Sequence, residues 1–183
     1  QSSHDMDVRS TAFIDVDKGR KVAVSCHGDR ENRAVICAPG LGDVKESYRL
    51  ITSQLVAQGF FVLRMDLRGH GDSDRFDSYS PEDVGRDIVK VMDHIAFNAG
   101  EQFVLIGCSF SAASCVWAAA QRPERVSKLI FIGPFVRDVK TSYFTKAMLR
   151  LVFLRLWGRA AWKQYYQSLF PFSTPNDFDE YVS

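Results

Sequence analysis

Strand-like apolar runs that alternate with helical patterns constrain the fold of this chain most. The run AVICA, at 34–38, has no polar alternation, which is typical of a strand buried on both faces of a parallel sheet. Similar runs occupy residues 60–65, 102–107 and 127–132. Because a helical pattern lies between consecutive runs, the sequence predicts an α/β fold with a doubly wound, mostly parallel sheet and right-handed crossovers.

An antiparallel hairpin is predicted before this alternation. Residues 11–16 and 21–26 alternate apolar and polar on either side of a glycine-containing turn at 17–19. The predicted helices cover 46–58, 81 to about 98, and 110–121. The second helix has a strong start, because Ser80 is a good N-cap and Pro81 suits the first helical position.

The bulk composition fits one globular core and excludes several function classes. The chain has 183 residues, of which 46% are hydrophobic and 25% charged, and its formal net charge is +1. The net charge is therefore too small to attract nucleic acid or an anionic membrane surface to the chain as a whole. No stretch approaches the roughly 20 apolar residues of a transmembrane helix. The polar opening QSSHDMDVRS lacks the layout of a secretory signal.

The four cysteines indicate a reducing compartment. They are Cys26, Cys37, Cys108 and Cys115, and each lies in or beside an apolar segment. They show no C-x-x-C spacing and no set of histidines that would complete a zinc site, so no metal is predicted. We expect reduced core thiols in a cytoplasmic environment, with a disulfide as the open alternative.

The candidate chemistry centres on Gly107-Cys108-Ser109-Phe110-Ser111, between a predicted strand and an alanine-rich helix. A serine on a sharp strand-to-helix turn projects its hydroxyl above the sheet. Such a turn requires very small residues two positions before and two positions after the serine, and both are small here. The helix start also directs amide groups and a positive dipole end at the site, which suits an oxyanion. The alternative is that Ser109 is simply a helix N-cap.

Three segments, in order, resemble the α/β-hydrolase fold superfamily, in its lidded, serine-nucleophile branch. AVICAPGLGD resembles the oxyanion-hole loop after the third strand of that family, and FFVLRMDLRGHGDSD resembles its fourth strand and following turn. FVLIGCSFSAASCVWAAAQRPERVSKLIFIGP is similar to its nucleophile elbow, following helix and sixth strand. The resemblance covers the N-terminal part of such a fold.

The resemblance implies a role for several residues. Ser109 would be the nucleophile, and the backbone N–H groups of Leu41 and Phe110 would form the oxyanion hole. Gly40, Gly107 and Ser111 would support the elbow and the loop beside it.

Two positions depart from the family pattern. Pro39 stands where the family usually has a histidine before its loop glycine, and Ser111 stands where the elbow normally ends in glycine. Because the oxyanion donors are backbone amides, neither departure removes a catalytic group. Both could shift the geometry of the loop.

The chain has no obvious general base. In this family the acid and then the histidine follow the serine along the sequence. The histidines here are His4, His27, His70 and His94, all before Ser109. His70 is expected near the rim of the site, supporting it rather than acting as the base. Asp138 is a candidate acid, with a helix N-cap or a surface charge as its alternatives.

Residues 139–183, the lid segment, differ from the predicted core at 1–138. The lid segment is aromatic and helical in pattern over 140–170, with a break expected near Gly158. Between residues 139 and 176 it has six Lys or Arg and no Asp or Glu, a net charge of +6. The cations either form a solvated lid surface or face anionic lipid or an anionic substrate such as an acyl thioester.

Two functions remain open from the sequence. The first is a serine hydrolase that cleaves a small carboxylic ester or thioester through an acyl-enzyme on Ser109, without a cofactor. The acid and histidine would then lie beyond residue 183, and the 183 residues alone would be inactive. The second is a binding or scaffold protein that keeps the fold without turnover.

Overall fold

Six strands form one sheet in the computed structural model, which describes residues 11–96, 100–134, 143, 158–168, 174 and 176–178. The strands are β1 (Thr11–Asp17), β2 (Arg20–His27), β3 (Arg33–Ala38), β4 (Phe60–Met65), β5 (Phe103–Cys108) and β6 (Val126–Ile132). Their order across the sheet is β1-β2-β4-β3-β5-β6. The hairpin and the four later strands agree with the sequence prediction.

Strand directions divide the sheet into two parts. β2 pairs antiparallel with both β1 and β4, whereas the pairs β3–β4, β3–β5 and β5–β6 are parallel. β3 lies at the centre of the parallel part, where Ile36 is opposite Leu63 on one side and Leu105 on the other. The predicted fold class, a mostly parallel sheet with an N-terminal antiparallel hairpin, is therefore confirmed.

Three helices lie between successive strands and begin close to where the sequence places them, and a fourth follows β6. They are α1 (Arg49–Ala57), α2 (Pro81–Ile95), α3 (Ser111–Gln121) and α4 (Gly158–Ser168), with short 3₁₀ turns at Lys45–Tyr48 and Pro123–Arg125. α2 ends three residues before the predicted position, because Ala96 leaves the helical conformation at φ −58° and ψ 133°.

Both faces of β3, β4 and β5 are buried, which explains why their sequences do not alternate, whereas most of β6 is exposed. Ala34, Ile36 and Ala38 of β3 face a core that also contains side chains of α2 and α3. Val35 and Cys37, the residues between them, pack in a second core with Tyr48. Each successive side chain of β3 therefore enters one of two apolar layers.

The chain divides into two compact units, Gln1–Val136 and Arg137–Ser183. The sheet and the helices α1 to α3 belong to the first unit, and α4 belongs to the second. The assignment of the second unit as a lid stays a prediction. Among the described residues, no helix combines the length and apolar character that crossing a bilayer requires.

All four cysteines are free thiols in the structure. Cys37 and Cys115 are buried, and burial raises the pKa of each thiol to about 12. Burial also raises the pKa values of Cys26 and Cys108, which are only partly covered.

Candidate active site

Ser109 lies on the sharp turn between β5 and α3 with a strained backbone. Its φ is +50°, and Lys18, in the hairpin turn, is the only other non-glycine residue of the described ranges with a positive φ. Holding an L-residue there costs of order 1–3 kcal/mol, and strain of this kind clusters at functional sites. The Ser109 N–H donates to the Ile132 carbonyl at 2.9 Å, which ties the turn to the end of β6.

The position two residues before Ser109 must be glycine. A Cβ atom at Gly107 would lie 2.8 Å from the Ser111 carbonyl oxygen and 2.8 Å from the Ala112 Cα. Real Cβ atoms do not approach backbone this closely. The backbone of α3 therefore starts directly against β5, and the chain can turn there only if residue 107 has no side chain.

The loop after β3 forms a tight turn against Ser109. The Asp43 N–H donates to the Gly40 carbonyl at 3.1 Å, and Gly42 has φ +81°. A positive φ at the third position is typical of a type II turn, with Leu41 at the second position. A Cβ atom at Gly40 would lie 3.6 Å from the Ser109 Cβ, so this turn and the elbow are neighbours.

The two amides that the family resemblance assigns to the oxyanion hole have no partner in the described part of the chain. Among those residues, none accepts a hydrogen bond from the Leu41 N–H or the Phe110 N–H. Backbone amides without an acceptor are uncommon unless water or a ligand satisfies them. Within the described ranges, each of these N–H groups therefore has a hydrogen atom that no protein acceptor uses.

Ser111 has a contact that sequence reasoning missed. Its side chain is fully buried, and its Oγ donates a hydrogen bond to the Pro39 carbonyl. The two positions that depart from the family pattern therefore contact each other. No local signal could have revealed this bond, because it joins residues 72 positions apart.

His70 contacts the loop after β3 through a specific hydrogen bond. Its Nε2 accepts a hydrogen bond from the Gly42 N–H at 2.9 Å, and its Nδ1 lies 3.0 Å from the Arg68 carbonyl oxygen. Both ring nitrogens are therefore engaged with backbone groups. This arrangement does not fit a general base for Ser109.

Asp66 forms hydrogen bonds both with Lys45, just after the loop that follows β3, and with Asp72, in the turn that follows β4. Its buried carboxylate accepts from the Lys45 N–H at 2.7 Å, from the Lys45 Nζ at 2.8 Å and from the Asp72 N–H at 3.0 Å. Burial by itself would lower the pKa of Lys45, but the hydrogen bonds that its ammonium group donates to Asp66 and Asp72 outweigh burial and raise that pKa. Lys45 therefore stays charged within this ion pair.

The described part of the chain does not bring a base to Ser109. Among the described residues, none forms a hydrogen bond with the Ser109 hydroxyl. His27 Nε2 lies 3.2 Å from Ser25 Oγ in β2, and His94 is exposed on the last turn of α2. His4 and Asp138 lie outside the described residues. No group of three described His, Cys, Asp or Glu side chains could hold a metal ion.

Comparison with known proteins gives a family and several structural relatives. The family model described as "Serine aminopeptidase, S33" matches residues 29–182. The "Serine hydrolase-like protein" of Mus musculus is 32% identical over 123 residues, which are 64% of this chain and 38% of that protein.

Solved structures of the same fold include an esterase and a bromoperoxidase. The esterase from Exiguobacterium antarcticum matches with a TM-score of 0.78 at 19% identity, over 94% of this chain and 66% of its own. The bromoperoxidase from Bacillus anthracis matches with a TM-score of 0.79 at 15% identity, over 94% and 67% of the two chains. At these identities the likeness concerns the fold alone. The chain spans about two thirds of these structures.

Proposed function

Because the chain belongs to the serine aminopeptidase S33 family of α/β hydrolases, we propose that the protein is a serine hydrolase with Ser109 as its nucleophile. One observation carries the proposal: the strained Ser109 adjoins a turn whose Leu41 amide, like the Phe110 amide, has no acceptor among the described residues. Packing does not require a positive φ at a serine, whereas a nucleophile elbow does.

The proposed reaction is hydrolysis of a carboxylic ester or thioester through an acyl-enzyme. Ser109 Oγ forms a bond to the acyl carbon while its proton passes to a histidine, and the Leu41 and Phe110 amides bind the oxyanion. The bond to the leaving group then breaks as the histidine returns the proton to the alcohol or thiol. Water, activated by the same histidine, hydrolyses the acyl-enzyme and releases the acid.

The relay is completed, in this proposal, by an acid and a histidine beyond residue 183. In the described ranges, both nitrogens of His70 bind backbone groups, and the exposed His94 lies on the last turn of α2. A serine hydroxyl is a weak nucleophile without a base. We therefore expect the 183 residues alone to lack turnover, and the activity of the longer protein belongs to the proposal.

Covalent labelling of the full-length protein tests this proposal. The full-length protein is treated with a fluorophosphonate, and its intact mass is compared with that of Ser109→Ala treated in the same way. We expect one adduct on the wild type and none on the variant, because the probe reacts only with an activated serine. Heat-unfolded wild type is the second control and should not react.

An adduct that persists in Ser109→Ala, or no adduct on the folded wild type, would reject the serine-hydrolase proposal. The lack of an adduct on the folded wild type would favour the binding or scaffold function, since the fold would then be kept without a reactive nucleophile.

A further inference from the structure

We propose that Ser111 and His70 are positioning residues that hold the Leu41 amide at the distance from Ser109 that catalysis requires. The inference rests on the proposed hydrolase function. Its starting point is the turn Gly40 to Asp43, which is short and contains two glycines. A glycine-rich turn has many accessible conformations, so its amides stay in place only if neighbouring groups hold them.

Ser111 holds the turn at the residue that precedes it. The buried Ser111 Oγ donates to the carbonyl of Pro39, two residues before Leu41. Ser111 is also the residue directly after Phe110. One hydrogen bond therefore joins the two segments that carry the proposed oxyanion donors, and a glycine at 111 could not form it.

His70 holds the turn on the other side of Leu41. The Gly42 N–H can only donate, so His70 Nε2 must be the unprotonated nitrogen of the ring. The ring proton then lies on Nδ1, where the Arg68 carbonyl is an acceptor at 3.0 Å. Both hydrogen bonds require this tautomer, so forming one of them favours the protonation pattern that the other needs.

The turn that carries His70 is itself firmly anchored. The Arg68 side chain donates two hydrogen bonds to the buried Asp87 of α2, at 2.7 and 2.8 Å. A Cβ atom at Gly71 would overlap the Asp66 carboxylate, with a closest approach of 2.4 Å. The imidazole therefore ties the turn Gly40 to Asp43 to the well-anchored turn that carries His70. This contact holds the Leu41 amide in place before substrate binds.

Substitutions that keep or remove the acceptor separate positioning from simple packing. His70→Leu removes the acceptor but keeps an apolar side chain of moderate size. His70→Gln retains an amide oxygen that can accept from the Gly42 N–H. Ser111→Ala removes only the hydroxyl. His94→Leu, on the exposed side of α2, is the matched control for losing a histidine.

The first measurement is steady-state hydrolysis of an activated ester by the full-length protein and these variants. We expect His70→Leu and Ser111→Ala each to lower kcat about 10- to 100-fold with KM within twofold, as for a displaced oxyanion donor. His70→Gln should recover most of the lost kcat. Wild-type kcat in His70→Leu, an equal loss in His70→Gln, or a change in KM alone would overturn the inference.

The second measurement does not depend on turnover. Long-range ¹⁵N–¹H correlation on the folded wild type at pH 8 reports which nitrogen of His70 has the proton. We expect the proton on Nδ1, and a ring protonated on Nε2 would overturn the inference.

Ser109→Ala separates failure of this inference from failure of the proposed function. If that variant hydrolyses the ester as fast as the wild type, or the wild type does not hydrolyse it, the proposed function fails and the inference fails with it. If turnover depends on Ser109 but His70→Leu retains it, only the positioning inference fails.

Discussion

At the scale of single residues, Gly40 and Gly107 both adjoin Ser109, but only one of them excludes a side chain. A Cβ atom at Gly107 would lie 2.8 Å from the backbone of α3, whereas at Gly40 the nearest atom is the Ser109 Cβ at 3.6 Å. The first distance is a clash with atoms that cannot move separately from the helix. The second is ordinary van der Waals contact.

Gly107→Ala should therefore destabilise the protein strongly, and Gly40→Ala should not. We expect Gly107→Ala to lower the free energy of unfolding by about 3 kcal/mol or more, as in severe overpacking. Gly40→Ala, the matched control, should change it by less than about 1 kcal/mol. Urea unfolding followed by circular dichroism measures both values. Equal losses in the two variants would mean that β5 and α3 are not as close as the structure shows.

At the scale of elements, the start of α2 depends on one carboxylate. Ser80 Oγ accepts from the Asp83 N–H at 3.2 Å, and the Asp83 carboxylate accepts from the Ser80 N–H at 3.2 Å, which completes a capping box. The hydroxyl of Ser78 also donates to this carboxylate and, with Arg86 and Ser80, holds the pKa of Asp83 well below its ordinary value of 3.8. Because Arg86 is largely exposed, its ion pair with Asp83 adds little to the stability of the protein.

Asp83→Asn should weaken the acid dependence of stability. Because the folded-state pKa is lowered, the unfolded chain binds the proton first. The stabilisation is therefore complete above pH 3.8 and is lost as the pH falls toward the lowered value. We expect Asp83→Asn to lower the free energy of unfolding by about 1–2 kcal/mol at pH 7. Its stability should also fall less steeply below pH 4.

Melting temperatures between pH 2 and pH 7 test this prediction. Glu82→Gln, which removes an exposed carboxylate from the same helical turn, is the matched control. If the melting temperature of Asp83→Asn falls as steeply below pH 4 as that of the wild type and the control, Asp83 is not the source of the acid dependence.

At the scale of the whole molecule, two cysteines report on the two cores of the sheet. Cys115 lies in the core that also contains residues of α2 and α3, and Cys37 lies in the core on the other face with Tyr48. Burial raises the pKa of each thiol to about 12, so both are held as the unreactive thiol in the folded protein at pH 8. Reaction of these thiols requires exposure of the core in which they lie.

Cys37 and Cys115 should therefore resist alkylation until the protein unfolds. Treatment with iodoacetamide at pH 8, followed by peptide mapping, should leave both unmodified in the folded protein. In concentrated guanidinium all four cysteines should react. Modification of Cys37 or Cys115 in the folded protein, at the rate of the partly exposed Cys108, would show that the cores open locally.

The sequence by itself determined the elements whose cause is local. Burial on both faces makes β3 continuously apolar, Ser80 and Pro81 start α2, and the small residues at 107 and 111 mark the turn around Ser109. These features depend on residues a few positions apart, so a single chain segment displays them. The order of such segments was enough to predict a doubly wound sheet with an antiparallel hairpin.

Only the tertiary structure decided how the candidate site is held together. The Ser111 hydroxyl meets the Pro39 carbonyl 72 positions away, and His70 meets Gly42 across 28 positions. The sequence places Ser111 at the elbow and His70 near the rim of the site, but it names the hydrogen-bond partner of neither. Hydrogen bonds between distant segments depend on angles and on distances of about 3 Å. Those distances exist only after the parallel strands have brought their carboxyl ends to one edge of the sheet.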